Sequence, residues 1–298
     1  MIMTNLVSEQ LAALSHLFSS GVVREMARKG RSSIFARLAN ESGLQQSLPS
    51  SHLVRDLFDI AFSLLKREGY RHEYIYKAAL THNILLGTHR LRTASMLTEF
   101  RIGECKADVA ILNGTSTVYE IKSERDSLSR LERQVAAYSK VFATVYVIAA
   151  EGHVPSILKS VPPYVGVMRL NNRYQIQKVR EALDQPERTN PDAIFDSIRT
   201  QEARAILLAQ GAKLPVVPNT ELNGALRELF VKLKPHEAHD GMVRVLKKTR
   251  TLLRLSDLVA QLPYSLQTAA LSVPLRKLDH VRLVSAVNTR LKDAMVWA

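Results

Sequence analysis

The segment Ala143–Ala150 (Ala-Thr-Val-Tyr-Val-Ile-Ala-Ala) constrains the fold more than any other part of this chain. It is apolar almost throughout and rich in β-branched residues. A strand that alternates apolar and polar residues can leave one face in water, but a strand of this composition must be covered on both faces. The segment before it, Leu128–Val141, has helical spacing, with Leu131, Val135, Tyr138 and Phe142 on one side. A helix feeding a doubly covered strand is the unit of a sheet with crossover helices, so an α/β core is expected.

The period is different upstream. Leu97–Ile102, Lys106–Leu112 (Lys-Ala-Asp-Val-Ala-Ile-Leu) and Thr117–Lys122 (Thr-Val-Tyr-Glu-Ile-Lys) read as strands. Asn113-Gly114-Thr115 between the last two is a tight-turn signal, so the three strands are expected to form an antiparallel meander. A helix near Pro155–Ser160 and a strand at Tyr164–Leu170 would extend the sheet.

The first third reads as helical. Leu6, Leu11, Leu14 and Leu17 recur at helical spacing, and Val22, Val23 and Met26 suggest a second helix. Glu41–Ser51 reads as a loop, with Gly43 and Pro49. His52–Arg67 is amphipathic, with Leu53, Leu57, Ile60, Ala61, Leu64 and Leu65 on one face and Gly69 as its stop. Tyr74–Leu86 reads as another helix, ending at Gly87. Pro186–Pro191 resembles a linker, and a mainly helical region follows. Three segments are therefore expected: a helical extension over 1–50, an α/β core over 51–185, and a basic, mostly helical domain over 192–298.

Charge points to the partner. The chain has 298 residues and a formal net charge of +13. An excess of Lys and Arg on this scale favours polyanions such as nucleic acid. Cys105 is the only cysteine, which excludes an internal disulfide and a cysteine-built zinc site and fits a reducing cytoplasm. Residues 1–20 lack the pattern of a signal peptide, with Glu9 and His16 interrupting them. No stretch approaches the ~20 apolar residues of a membrane helix. The expectation is a cytoplasmic protein with no membrane partner.

Glu120-Ile121-Lys122 carries the chemistry. Side chains alternate along a strand, so Glu120 and Lys122 share a face while Ile121, like Tyr119, points to the core. Asp108 lies on the preceding strand between Ala107 and Val109, which are expected on the opposite, apolar face. Antiparallel pairing through the turn can bring Asp108 beside Glu120. Two converging carboxylates stay ionised most readily around a cation, and hard oxygen donors suit Mg²⁺ or Mn²⁺. Such a metal stabilises charge on a phosphoryl oxygen and lowers the pKa of water, and Lys122 can orient the nucleophile or stabilise the transition state.

Asp108, a hairpin, Glu120-Ile121-Lys122 and an amphipathic helix together resemble the PD-(D/E)XK nuclease superfamily, which includes RecB-like nucleases and Holliday-junction resolvases. The resemblance covers residues 70–170 or thereabouts. It implies a core of helix, three-strand meander, helix and strand around a mixed sheet. It also implies Asp108 and Glu120 as metal ligands, Lys122 as the catalytic lysine and the carbonyl of Ile121 as a further ligand. Gln134 and Tyr138, four apart on one helical face, match a Gln-x-x-x-Tyr pair found near the active site of RecB-like members. The string from Tyr-Glu-Ile-Lys-Ser through Asp126, Arg130-Leu131, Gln134 and Tyr138 is similar to a group of prokaryotic proteins associated with mobile elements. A nuclease acting on DNA, in phage defence or mobile-element biology, is what this implies. A homodimer is also implied, since many such nucleases pair to cut two strands. Ala107 departs from the superfamily, which often has proline there.

Several assignments stay open at the level of sequence. Glu99 is the candidate for an upstream ligand, with Glu73 as the alternative, and a salt bridge from Glu99 to Arg101 or Lys106 is the simpler role. Gln134 and Tyr138 can equally cap a core surface. Arg244, Lys247, Lys248, Arg250 and Arg254 can contact phosphates or form a solvated helix face. His52, His72, His82, His89 and His153 show no metal-ligand spacing, and no Ser-His-Asp set is apparent. A protein that binds nucleic acid on this fold without cutting it is the alternative function.

Overall fold

A computed structural model describes residues 6–49 and 51–297. The outer ends of the predicted N-terminal and C-terminal segments, residues 1–5 and 298, and one position of the predicted loop, Ser50, lie outside the described residues. The chain is mixed α/β and divides into two compact units, Met1–Ala78 with Arg254–Ala298, and Ala79–Leu253.

The elements run in chain order as follows. Helices α1 (Ser8–His16), α2 (Ser20–Lys29), α3 (Ser33–Glu41), α4 (Val54–Leu65) and α5 (Glu73–Leu80) come first. A π-helical turn, Thr81–Leu86, leads to strands β1 (Ser95–Ile102), β2 (Cys105–Asn113) and β3 (Thr115–Lys122). Then come α6 (Leu131–Tyr138), β4 (Thr144–Ala149), α7 (Val154–Ser160), β5 (Gly166–Leu170) and β6 (Ile176–Arg180). Helices α8 (Pro191–Ser197), α9 (Thr200–Ala209), α10 (Asn219–Phe230) and α11 (Pro235–Thr249) follow, then α12 (Ser256–Gln261), α13 (Gln267–Leu271), α14 (Lys277–Val287) and α15 (Leu291–Ala294).

The first unit is helical. Ser19 and Ser32 cap α2 and α3 by accepting from the N–H groups of Val22 and Phe35, each satisfying a donor the helix leaves free. Its core holds an aromatic cluster in which Phe18 stacks on Tyr74 with centroids 4.5 Å apart and tilts against Phe58 at 5.6 Å. The chain's last residues close this unit. α14 packs on α2, and Leu53 bridges Arg290 while Leu291 donates to the His52 carbonyl at 2.8 Å. The predicted C-terminal domain is thus divided: residues 254–297 fold with the N-terminal helices.

The second unit is built on one six-stranded mixed sheet in the order β1-β2-β3-β4-β5-β6. β1, β2 and β3 form the predicted antiparallel meander. β3, β4 and β5 are parallel, joined by α6 and α7, and β6 closes the edge antiparallel to β5. All six residues of β4 are buried, as its composition requires. β6 was not legible because its residues are half-buried or exposed, with no apolar alternation.

One core joins α6 and the apolar residues of α8–α11 to Val118, Val145 and Val147. Residues 191–253 therefore belong with the sheet. Pro186–Pro191 is held inside this unit rather than linking two others: Gln185 donates to the Ala143 carbonyl and Asn190 to that of Lys140, at 3.0 and 2.7 Å. Glu41–Ser51 contains a 3-10 turn, Leu44–Ser47, and α3, within the expected helical extension, buries Phe35, Ala36, Leu38 and Ala39 on one face. Gly166 is required by a close approach, since a Cβ there would lie 2.1 Å from the Tyr146 ring.

Candidate active site

β2 and β3 pair from Asn113↔Thr115 to Val109↔Tyr119, and the same register continued places Asp108 opposite Glu120. There the ladder gives way to a side chain: the Ile121 N–H donates to Asp108 Oδ2 at 2.8 Å. In a strand the N–H and C=O of one residue point to the same neighbour. The Ile121 carbonyl therefore faces the β2 side, where Asp108 stands.

Asp108 also marks a change of face. Ala107 belongs to the core beneath α6, whereas Val109, two residues on and expected on the same face of a regular strand, is buried outside it, and Ala110 belongs to it again. Ala107 and Val109 do not share an apolar face as expected. The partner strand is irregular at the same level. Glu99 lies between the pairs Thr98↔Val109 and Phe100↔Ala107, and its φ of 56° is left-handed. Such a φ is uncommon for a residue other than glycine, and it disturbs alternation there.

Glu99 is exposed and forms an ion pair with Lys106. Its carboxylate also comes within 4.8 Å of that of Asp108. The ion pair with Lys106 considered for Glu99 is therefore present, and its carboxylate stands beside that of Asp108. Glu73 belongs to the first unit, where it pairs with Lys77 at 2.5 Å.

Glu120 and Lys122 share a face, as expected, but that face is not solvated. They are 2% and 4% exposed. Lys122 Nζ donates to Glu120 Oε1 at 2.9 Å and to Gln134 Oε1 at 3.0 Å. The Tyr138 hydroxyl lies 2.7 Å from Glu120 Oε2 and 3.0 Å from the Lys106 carbonyl. It has one proton to give, and the charged carboxylate is the stronger acceptor. Burial raises the Tyr138 pKa, and the charges of Glu120 and Asp108 raise it further, so the phenol stays protonated. Gln134 and Tyr138 thus grip the two halves of the Lys122–Glu120 pair from one helical face, as their spacing predicted.

The donor set fits a hard divalent cation in part. Asp108, Glu99 and the Ile121 carbonyl bring oxygens to one side, though Asp108 accepts from the Ile121 N–H and Glu99 pairs with Lys106, and both Glu120 oxygens hold protein donors. Beyond Lys122, Ser123 turns the chain by donating its N–H and hydroxyl to Asp126 Oδ2 at 2.7 and 2.6 Å.

The five basic candidates separate. Arg244 and Lys248 are exposed and Lys247 half-buried on α11. Arg250 is held instead by Glu202, through Nε at 2.9 Å and a terminal nitrogen at 2.7 Å. Arg254 falls in the first unit. The sequence showed no Ser-His-Asp set, yet the fold places three such groups in line. The Ser116 hydroxyl is 2.8 Å from His239 Nε2, and His239 Nδ1 is 2.9 Å from Asp240. Ser116 is fully buried and accepts from the Ala143 N–H, so it ties β3 to α11 and β4 and is closed to substrate. Among the described residues no helix is long and apolar enough to cross a membrane.

The family described as Bacteriophage P4 protein cII matches residues 66–254, a span that includes every candidate above from Glu73 to Arg254. Protein cII of Enterobacteria phage P4 is 36% identical over 67 residues, which are 22% of this chain. That match spans 25% of the phage protein's own length. Among solved structures, SPO1766 protein of unknown function from Silicibacter pomeroyi is 18% identical, with 46% of this chain and 88% of that one covered at a TM-score of 0.31.

Proposed function

This chain belongs to the Bacteriophage P4 protein cII family, and we propose that it is a metal-dependent nuclease of the PD-(D/E)XK type that hydrolyses phosphodiester bonds, in DNA first. One observation carries this reading: Asp108, Glu120 and Lys122 converge at the point where the β2–β3 ladder ends, and Gln134 and Tyr138 hold the last two in place. The order of helix, meander, helix and parallel strand supports it too. A rigid sheet carries the groups, and α6 locks their rotamers, which is how a site keeps reacting atoms in register.

Asp108, Glu99 and the Ile121 carbonyl would hold Mg²⁺ or Mn²⁺, with Glu120 joining once Lys122 releases it. The cation supplies Lewis-acid stabilisation of charge on the phosphoryl oxygen and a more acidic water. The protein's own part is to place donors. Lys122 stands between Glu120 and Gln134, and an ammonium on a flexible stem can turn from Glu120 Oε1 toward a nucleophile or a developing negative charge. Tyr138 keeps Glu120 oriented during that turn. A role in phage or mobile-element biology agrees with the family, and cytoplasmic location with the lone thiol.

A second reading is a protein that binds nucleic acid without cutting it. The burial of Glu120 and the occupation of both its oxygens favour it. Incubation of supercoiled plasmid, linear duplex and single-stranded DNA with Mg²⁺, Mn²⁺ or EDTA separates the two. Metal-dependent cutting, abolished in Asp108→Ala and Lys122→Ala, is expected. Absence of cutting, with salt-sensitive binding equal in wild type and both variants, would establish the binding protein instead.

A further inference from the structure

The turn that joins β2 to β3 lies at the far end of the sheet from Asp108. Beside it is a depression of about 380 Å³, lined by Gly114, Asp240, Val243, Arg244 and Lys247. Four of these come from α11, which Ser116 and His239 fasten to the start of β3. Gly114 has a φ of 76°, and nothing stands within 4 Å of where its Cβ would be, so the backbone is open to a ligand. Arg244 and Lys247 are three apart on α11 and so neighbours on its surface. Neither has an ion-pair partner among the described residues. The single acidic lining group, Asp240, is engaged by His239 Nδ1. Val243 forms the floor and is itself packed in the core.

We infer that this depression is a second phosphate-backbone station, so that the substrate is a polynucleotide long enough to reach it from the candidate active site. From Asp108 to Gly114 the strand covers about 20 Å at the rise of an antiparallel strand. Along one strand of a duplex, phosphates recur about every 3.4 Å of axis, so the two places are about six nucleotides apart. A mononucleotide or very short oligomer cannot occupy both. The inference deepens the nuclease reading and rests on it for the choice of nucleic acid over other polyanions.

The test is binding in EDTA, where no cutting complicates it. Fluorescence anisotropy would compare labelled duplexes of about 4 and about 20 base pairs, each closed by a hairpin loop, against salt, for wild type and Arg244→Ala/Lys247→Ala. An Arg173→Ala/Lys159→Ala variant removes equal charge from exposed positions elsewhere. On the long duplex the depression variant is expected to bind at least about tenfold more weakly, with the slope of log affinity against log salt reduced by about 2. The short duplex, which can occupy only one of the two places, should lose far less, and the charge control should match wild type. Equal slopes in wild type and the depression variant would overturn the station. So would an equal loss in the charge control, or binding of an acidic polypeptide with none of either duplex. Cleavage with Mg²⁺ is scored separately. A slope change without cleavage keeps the station and removes the nuclease, and cleavage without a slope change does the reverse.

Discussion

Two glutamates of the sheet-bearing unit are buried to the same degree, and they are held in different ways. Glu120 and Glu202 each expose 3% of the side chain, and each pairs with a cation. Glu202 receives both arms of Arg250, the Arg199 N–H at 2.8 Å and an approach by the Thr249 hydroxyl at 3.0 Å. The guanidinium also covers the Phe100 ring, at 5.4 Å. Among the described residues Glu120 receives Lys122 and Tyr138 alone. A planar fork on a carboxylate fixes geometry, whereas an ammonium is a point charge with freedom to rotate. The first pair fastens α9 to the end of α11. The second has no such fork, its cation is the one redirected in the proposed mechanism, and it stands next to Asp108. Burial of an ion pair is therefore not by itself a sign of function; what sets the second pair apart is a rotatable ammonium in place of a fork, close to Asp108.

The sharpest way to break this comparison is through activity. Lys122→Ala should lower metal-dependent cleavage at least about 10²–10³-fold, the scale of removing one transition-state donor. Arg250→Ala, assayed at a temperature where it is folded, should cleave at close to the wild-type rate. Equal losses in both would show that the two pairs do not differ as argued.

Stability should order them the other way. Arg250→Ala leaves Glu202 charged and buried, which costs about 3–5 kcal/mol in urea unfolding. Arg250→Lys should recover less than half of that, because lysine cannot make the fork. Replacing the other pair as Glu120→Leu/Lys122→Met should be nearly neutral or mildly stabilising while cleavage is lost, since buried pairs often lose to apolar groups of similar volume.

A pH series sharpens the distinction. Burial pushes the Glu202 pKa up, and the bonds from Arg250, Arg199 and Thr249 outweigh it, so the net shift is downward. A depressed carboxylate pKa adds stability above its unfolded value, about 4.3, and that gain is lost as pH falls through the folded value. The stability difference between wild type and Glu202→Gln should therefore shrink below about pH 4. A difference that persists unchanged in acid would mean that the bonds act through shape and not charge.

Smaller effects come last. Tyr138→Phe removes one donor to Glu120 and should cost about 1–2 kcal/mol in unfolding, with cleavage reduced more than stability alone explains. Gly114→Ala, at a left-handed φ, should cost about 1 kcal/mol and leave cleavage of short substrates intact.

The sheet's central strands were legible because their signal is local. Alternation in Thr117–Lys122, the Asn-Gly turn and the unbroken apolar run of Ala143–Ala150 each decide a strand within a few residues. The four-residue spacing of Gln134 and Tyr138 likewise put both on one helical face. Asp108 could be placed near Glu120, but its change of face could not, since that depends on the backbone turn at Glu99 across the strand pair.

The sequence by itself determined which residues could do chemistry and on which strands they lie, because side-chain period and turn type are written within short windows. The tertiary structure alone decided which charges are free. Arg250 and Arg244 are alike in a basic stretch, yet one is fixed by Glu202, 48 residues away, and the other lines an open depression. It also decided that the last helices join the first ones, and that Ser116 and His239 form a buried tie, with Asp240 exposed beside it, instead of a triad. Contacts between residues far apart in the chain depend on how whole elements pack, and no local pattern records them.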